Sequence, residues 1–461
     1  LGIVRHNKPA RHNKQSRSKG SKSSISQEPV ELVVSDLNHD AQGVSRTLDK
    51  VTFVEGALPG EHVLAEVDRP GRHFNQAKLI EITSASHERV DPACPHYKRC
   101  GACQLMHLQS DKQLAYKQDN LHQQFVRKLK LDDLPWMPAI TSDAFGYRRR
   151  ARLGIRYRNQ LDEIIIGFRE MANSHLTAIQ QCNVLIPALD ALIKPLYELM
   201  DQMLGKAHFT QVELIAADNA NVVVLRHLKN LGPEDSALIK NWAQQQNVQL
   251  WLQGGKKEAE TMTCVFPENP ATLNYKLGDI ELDFKVKDFI QANGDVNQKM
   301  VATALEWLNI QENETVLDLF AGMGNFSLPI AKVAKQVTAV EGVKDMVQRM
   351  GQNAEKNNLD NVHPIKLNLA DEELFIKLPK ADVILLDPPR AGAADLMSLL
   401  SKQNSRILYV ACEPSSLLRD AEPLLKAGFV IEKITSMDMF PQSKHIETMA
   451  LFVKAKKKKR Q

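Results

Sequence analysis

Cys94, Cys100 and Cys103 form a C-x5-C-x2-C run, and Cys182 is the next cysteine along the chain. Thiolates at such spacing build a cage for a metal ion such as zinc or for an iron–sulfur cluster. Cys412 stands apart, at the end of the apolar run Arg406-Ile-Leu-Tyr-Val-Ala-Cys-Glu-Pro414. At the lip of a sheet such a cysteine is either a nucleophile, once its thiol ionises, or a buried packing residue. Six cysteines in 461 residues do not make a disulfide scaffold, so metal binding or catalysis is the better reading. Cys264 belongs to neither pattern and reads as core.

A second set of candidates follows in the last third of the chain. Val316-Leu-Asp-Leu-Phe-Ala-Gly-Met-Gly-Asn325 runs from a strand into a glycine turn. Gly322 and Gly324 allow the backbone to approach a ligand closely. Ser327 stands where a third glycine would complete G-x-G-x-x-G, which weakens a dinucleotide reading. Glu341 ends the next strand, where a carboxylate can take two ribose hydroxyls; the ordered set fits S-adenosylmethionine better than a nicotinamide cofactor. Ile384-Leu-Leu-Asp-Pro-Pro-Arg390 places Asp387 at the end of a further strand. Asp-Pro-Pro before an aromatic would serve methylation of an exocyclic amine, but Arg390 holds the aromatic position. The segment from Met439 to Thr448 turns a hairpin and offers His445 and Glu447 as bases.

These residues need elements to hold them. From Val316 to Val453 strand-like and helix-like segments alternate, which implies a parallel, doubly wound sheet with ligands at the carboxyl ends of its strands. Before it, residues 89–288 read as a central mixed α/β domain carrying the cysteines. Its helix, from about 109 to 130, is free of Gly and Pro, and docking of this helix on the catalytic domain is an expectation. Short β-type runs between Val30 and Ile82 predict a small barrel over 28–88, of the oligonucleotide-binding or a purely structural kind. Arg148, Arg150 and Arg152 would share one face of a strand, there to meet phosphate or to be paired within the sheet. The net charge is +4. Residues 1–27 and 454–461 are strongly basic tails; the first is predicted disordered, and both suit either a polyanion tether or a solubilising end. No apolar run is long enough to span a membrane and no export signal is evident, so a cytoplasmic protein is expected.

The whole pattern resembles the RNA uracil-5-methyltransferase family, in the type that acts on 23S rRNA. The similarity covers about residues 30–453 and includes Asp288-Phe-Ile-Gln-Ala-Asn293, Asn297-Gln-Lys-Met300, the Gly322/Gly324 loop, Asp387-Pro388, Cys412 and the Glu447 hairpin. The resemblance implies a multidomain α/β enzyme. Its parts would be an N-terminal OB-like TRAM barrel that binds RNA, a central domain with a [4Fe-4S] cluster on Cys94, Cys100, Cys103 and Cys182, and a class I S-adenosylmethionine-dependent methyltransferase domain (Rossmann-like) over 289–453. It further implies that Gln291, Phe320, Asn325, Glu341, Asn368 and Asp387 line the cofactor and uracil pocket, with Cys412 as nucleophile and Glu447 as base. A monomer acting on 23S rRNA is expected. Ala321, Glu413 and Pro389 depart from the residues more usual at their places in the family.

Overall fold

The computed structural model describes residues 28–131, 133–171, 173–254, 261–370 and 378–455. The expected tail at 1–27 lies outside the described residues, as does the one at 454–461 apart from Lys454, which ends the last strand, and Ala455.

Five strands close the N-terminal barrel: β1 (Val30–Leu37), β2 (Gln42–Ser45), β3 (Val51–Glu55), β4 (His62–Pro70) and β5 (Phe74–Ser84), in the order β1-β2-β3-β5-β4. Alternating side chains from these strands, among them Leu32, Val34, Val63, Ala65 and Val67, fill its interior. Helix α1 (Ser110–Leu129) follows. Its buried residues Gln113, Lys117, Leu121 and Phe125 recur every four positions and form one stripe. Leu121 and Phe125 pack with Leu317, Leu386, Ile407 and Tyr409 of the C-terminal sheet.

A six-stranded sheet occupies the middle of the chain, with strands β6 (Arg150–Arg158), β7 (Glu163–Gly167), β8 (Phe209–Ala216), β9 (Asn221–His227), β10 (Gln249–Gly254) and β11 (Thr261–Phe266). Their order is β11-β10-β9-β8-β6-β7. Helices α2 (Pro187–Asp190), α3 (Ile193–Gln202) and α4 (Pro233–Gln245) supply Leu189, Leu196 and Trp242 to the core it shares with Leu153, Leu214 and Leu250. Two arginines of β6 pair with a carboxylate of the neighbouring strand β8, Arg150 half-buried against it and Arg152 largely exposed. Arg150 donates to Glu213 Oε1 at 2.8 Å and to the carbonyls of Val286 and Asp288, and Arg152 reaches Glu213 Oε2 at 3.2 Å. Arg148 precedes the strand and lies over the Phe440 ring. Of the two readings of this row, the paired sheet face is the one observed for Arg150 and Arg152.

After the hairpin β12 (Leu273–Leu277) and β13 (Ile280–Phe284) and helix α5 (Gly294–Leu308), the chain builds a seven-stranded sheet. Its elements are β14 (Thr315–Leu319), α6 (Ser327–Ala331), β15 (Gln336–Glu341), α7 (Lys344–Lys356), β16 (Val362–Lys366), β17 (Val383–Leu386), α8 (Ala394–Leu400), β18 (Arg406–Ala411), α9 (Pro414–Lys426), β19 (Phe429–Met437) and β20 (Glu447–Lys454). The order is β16-β15-β14-β17-β18-β20-β19, parallel throughout except for the antiparallel pairs made by β20. The inner strands β14, β15, β17 and β18 are largely apolar and buried because both faces are covered, whereas the edge strand β16 buries only Val362. The helix after β14 is short. It closes after Ala331, where Val333 and Ala334 turn back onto the carbonyl of Ile330.

Candidate active site

The parallel strands end on one rim, and most of the chemistry-bearing residues stand there. At the end of β14, Phe320 and Gly322 adopt positive φ, +64° and +57°. A side chain on Gly322 would meet no atom within 4 Å, so the loop faces open space, whereas one on Gly324 would meet Leu328 at 2.9 Å. One glycine therefore leaves room for a ligand and the other allows close packing of the turn on its helix. Glu341, at the end of β15, accepts hydrogen bonds from the N–H groups of Gly322 (3.1 Å) and Val343 (2.8 Å). Its carboxylate thereby holds the glycine loop against the neighbouring strand.

Asn325 turns inward. Its Oδ1 accepts from the Tyr275 hydroxyl at 2.9 Å, and it exchanges a reciprocal pair of amide hydrogen bonds with buried Asn297 at 2.9 and 3.0 Å. Tyr275 in turn lies under the Arg149 guanidinium, 4.7 Å from ring centre to Cζ, and Arg149 Nε donates to the Gln291 carbonyl at 2.9 Å. Gln291 and Asn325 are thus tied into one buried network. Asn368 is exposed beyond β16, where its Oδ1 accepts from Ala370 N at 3.2 Å.

Asp387 follows β17, Cys412 follows β18, and Glu447 opens β20. The register pairs Ala411 with Thr448, so Cys412 and Glu447 come next on adjacent strands. Glu447 is 6% exposed. Burial pushes its carboxyl up to about 8, with a further contribution from Asp387, while Arg390 pulls it down. Asp387 is pushed up to about 7 by burial. The Cys412 thiol is raised to about 11 by burial first, then by Glu447 and Asp387, with Arg390 opposing. These three groups and Arg390 act on one another electrostatically. Cys412 also lines a cavity of about 320 Å³ between the rim, α1 and the barrel turn at 37–41, together with Lys444, His445, Asn120 and Asp40. His445 is exposed on this cavity, whereas Glu447 faces Asp387.

One residue of this rim was quoted in the sequence pattern without being given a task. Asp318 is 1% exposed within β14, and one oxygen accepts from Ser327 Oγ at 2.5 Å. Its other oxygen has no hydrogen-bond partner, and burial, with Asp387 and Glu341 adding, pushes it up to about 7. The signal available was an ionisable residue in an otherwise apolar strand.

The other cysteines form a separate place. Cys94, Cys100, Cys103 and Cys182 line a single small cavity beside His96, Tyr97 and Phe168, and all four are free thiols. Burial raises each of them, Cys182 to about 11. Among the described residues no group of three or more His, Cys, Asp or Glu is arranged to hold a single metal ion.

The family model described as tRNA (Uracil-5-)-methyltransferase matches residues 109–455. The chain belongs to this family. A 23S rRNA (uracil(1939)-C(5))-methyltransferase of Shewanella sediminis is 41% identical over 92% of this chain and 95% of its own length. Its counterpart in Erwinia tasmaniensis is 40% identical over 92% and 96%. Among solved structures, a Pyrococcus abyssi tRNA (uracil-54, C5)-methyltransferase in complex with S-adenosyl-L-homocysteine superposes with a TM-score of 0.72. It covers 92% of this chain and 99% of its own at 22% identity, and so shares the fold. The seven-stranded sheet is therefore that of an S-adenosylmethionine-dependent methyltransferase, preceded here by a closed five-stranded barrel.

Proposed function

We propose that this enzyme methylates C5 of a uridine in 23S rRNA, the 1939 position of its named relatives, through a covalent adduct between Cys412 and C6. The observation that carries this reading is the placement of Cys412, Asp387 and Glu447 on adjacent strand ends, each within electrostatic reach of the next. S-adenosylmethionine, when bound, supplies a methyl group made electrophilic by its sulfonium. Gly322, which leaves open space at the loop, and Glu341, whose carboxylate ends the next strand, fit such a ligand. Phe320, Asn325, Asn368 and Gln291 complete the proposed cofactor and uracil surroundings.

Uracil C5 is a weak nucleophile until a thiolate adds to C6 and shifts electron density onto C5. In this proposal the Cys412 thiol gives its proton to solvent and the thiolate forms that bond. C5 then attacks the methyl with release of S-adenosylhomocysteine, and Glu447, as its carboxylate, takes the C5 proton so that the C6–S bond breaks and the thiolate leaves. Burial raises the Glu447 carboxyl to about 8 in the substrate-free site, so the carboxylate that can accept a proton gains population as the pH rises toward that value, and Arg390 is the cation that moderates both it and the thiol. Asp387 stands beside both and is assigned to the uracil edge or the cofactor. The target base must leave its stack to reach Cys412, and the cavity between barrel, α1 and rim gives the strand room to enter.

Cys94, Cys100, Cys103 and Cys182 fit a [4Fe-4S] cluster by donor chemistry: four free thiols on one cavity, Cys100 and Cys182 buried, Cys94 and Cys103 half-buried. The cycle is redox-neutral, so the cluster's assigned part is structural. A cytoplasmic monomer acting on 23S rRNA follows from this reading. No helix among the described residues is long and apolar enough to cross a membrane. Transfer of labelled methyl from S-adenosylmethionine to unmodified 23S rRNA, with the product mapped to C5 of one uridine, tests it. Methylation of an exocyclic amine by a Cys412→Ala variant would favour the Asp387-Pro388-Pro389 chemistry instead.

A further inference from the structure

We propose that Gln442 is a positioning residue that fastens the cysteine-bearing loop to the segment aiming Glu447; the inference rests on Glu447 being the base. Residues 438–446 join β19 to β20, and Gln442 is the middle one. It is 1% exposed with φ +69°, left-handed backbone that a glutamine adopts only when its surroundings hold it there. Its carbonyl accepts the backbone N–H groups of both Gln104 and Leu105, at 3.0 Å each, directly after Cys103. Its own N–H donates to Gln113 Oε1 at 3.1 Å, and Gln113 Nε2 donates back to Gln442 Oε1 at 2.9 Å. Gln113 also donates to the Leu108 carbonyl at 2.8 Å, so one side chain of α1 grips both loops.

Further bonds converge on the same segment. Tyr147 donates to the Pro441 carbonyl at 2.9 Å, Lys444 N donates to Gln104 Oε1 at 3.3 Å, and buried Lys117 pairs with Asp438 at 2.8 Å. A connection between two antiparallel strands is ordinarily a mobile surface feature. This one is buried at its centre and held by the cysteine loop on one side, with Glu447 immediately beyond its end. Proton abstraction needs the base within hydrogen-bond reach of the C5 proton, and small displacements cost rate. Loosening the clamp is therefore expected to slow the release of the adduct more than its formation.

The test compares wild-type holoprotein with Gln442→Gly, which keeps the left-handed backbone and the carbonyl but loses the side-chain bond, and with Gln113→Ala, which removes the grip from the helix side. Each is mixed with S-adenosylmethionine and unmodified rRNA and quenched during turnover. The expected result is unchanged visible absorbance of the cluster, a KM for RNA within about twofold of wild type, and an SDS-stable methylated adduct raised about threefold or more. Adduct at the wild-type level with normal turnover, or formation and release slowing together, overturns the proposal. Glu447→Ala run in parallel separates the two readings: if it turns over without trapping adduct, the assignment of the base fails, not the role of the clamp alone.

Discussion

Replacing Glu447 by Gln removes a carboxylate from beside the Cys412 thiol, and the effect should depend on pH in a defined way. The two residues are cross-strand neighbours, so about 6 Å between their charges is reasonable. At an effective dielectric of about 20, the repulsion between thiolate and carboxylate is about 2.8 kcal/mol. Half of that survives on a cavity open to water, about 1.4 kcal/mol, or tenfold in thiolate fraction. The carboxyl is raised to about 8. Well below that pH it is protonated in the wild type, repels nothing, and the substitution changes nothing. Well above it the carboxylate is present in the wild type alone and adds to burial, the larger cause, in raising the thiol to about 11. Alkylation of Cys412 by iodoacetamide, followed on its own peptide by mass spectrometry, should therefore give a variant-to-wild-type rate ratio near 1 at about pH 6.5, rising to about 10 at about pH 9.5. A ratio that stays at 1 across this range would refute the coupling and, with it, the electrostatic account of the site.

Arg390→Ala should act in the opposite sense. Without the cation that lowers both Cys412 and Glu447, alkylation at a fixed alkaline pH slows and the pH–rate profile of methylation moves upward. Lys117→Met leaves buried Asp438 without its 2.8 Å partner, so urea denaturation should show a loss of about 3–5 kcal/mol, much of it recovered by adding Asp438→Asn. Tyr275→Phe removes the hydroxyl donated to Asn325. At about 1 kcal/mol for that bond, KM for S-adenosylmethionine should rise roughly fivefold with kcat within about twofold.

The seven-stranded sheet was legible because its strands are buried on both faces and its helices alternate with them, so local hydrophobic pattern and tertiary role coincide. Glu341 and the Gly322/Gly324 turn could be placed for the same reason, since one ends a strand and the other directly follows one. Nothing local could announce the pairing of Arg150 and Arg152 with Glu213, about sixty residues away in sequence. The arginines look alike whether they meet phosphate or a carboxylate, and only the β6–β8 register decides. Gln113, Lys117, Gln442 and Asp438 were invisible as a group because their partners lie more than three hundred residues apart. Lys117 and Gln113 even appear polar on a helix whose apolar stripe they share.

The covalent step is the centre of the account. Wild-type protein and Cys412→Ala should be incubated with S-adenosylmethionine and 23S rRNA containing 5-fluorouridine, whose C5 fluorine cannot be removed as a proton, and then resolved on denaturing gels. The account predicts an SDS-stable protein–RNA adduct in the wild type alone, mapping to one uridine. Methyl transfer to ordinary rRNA with no adduct on the fluorinated RNA, or an adduct that persists in Cys412→Ala, would contradict it.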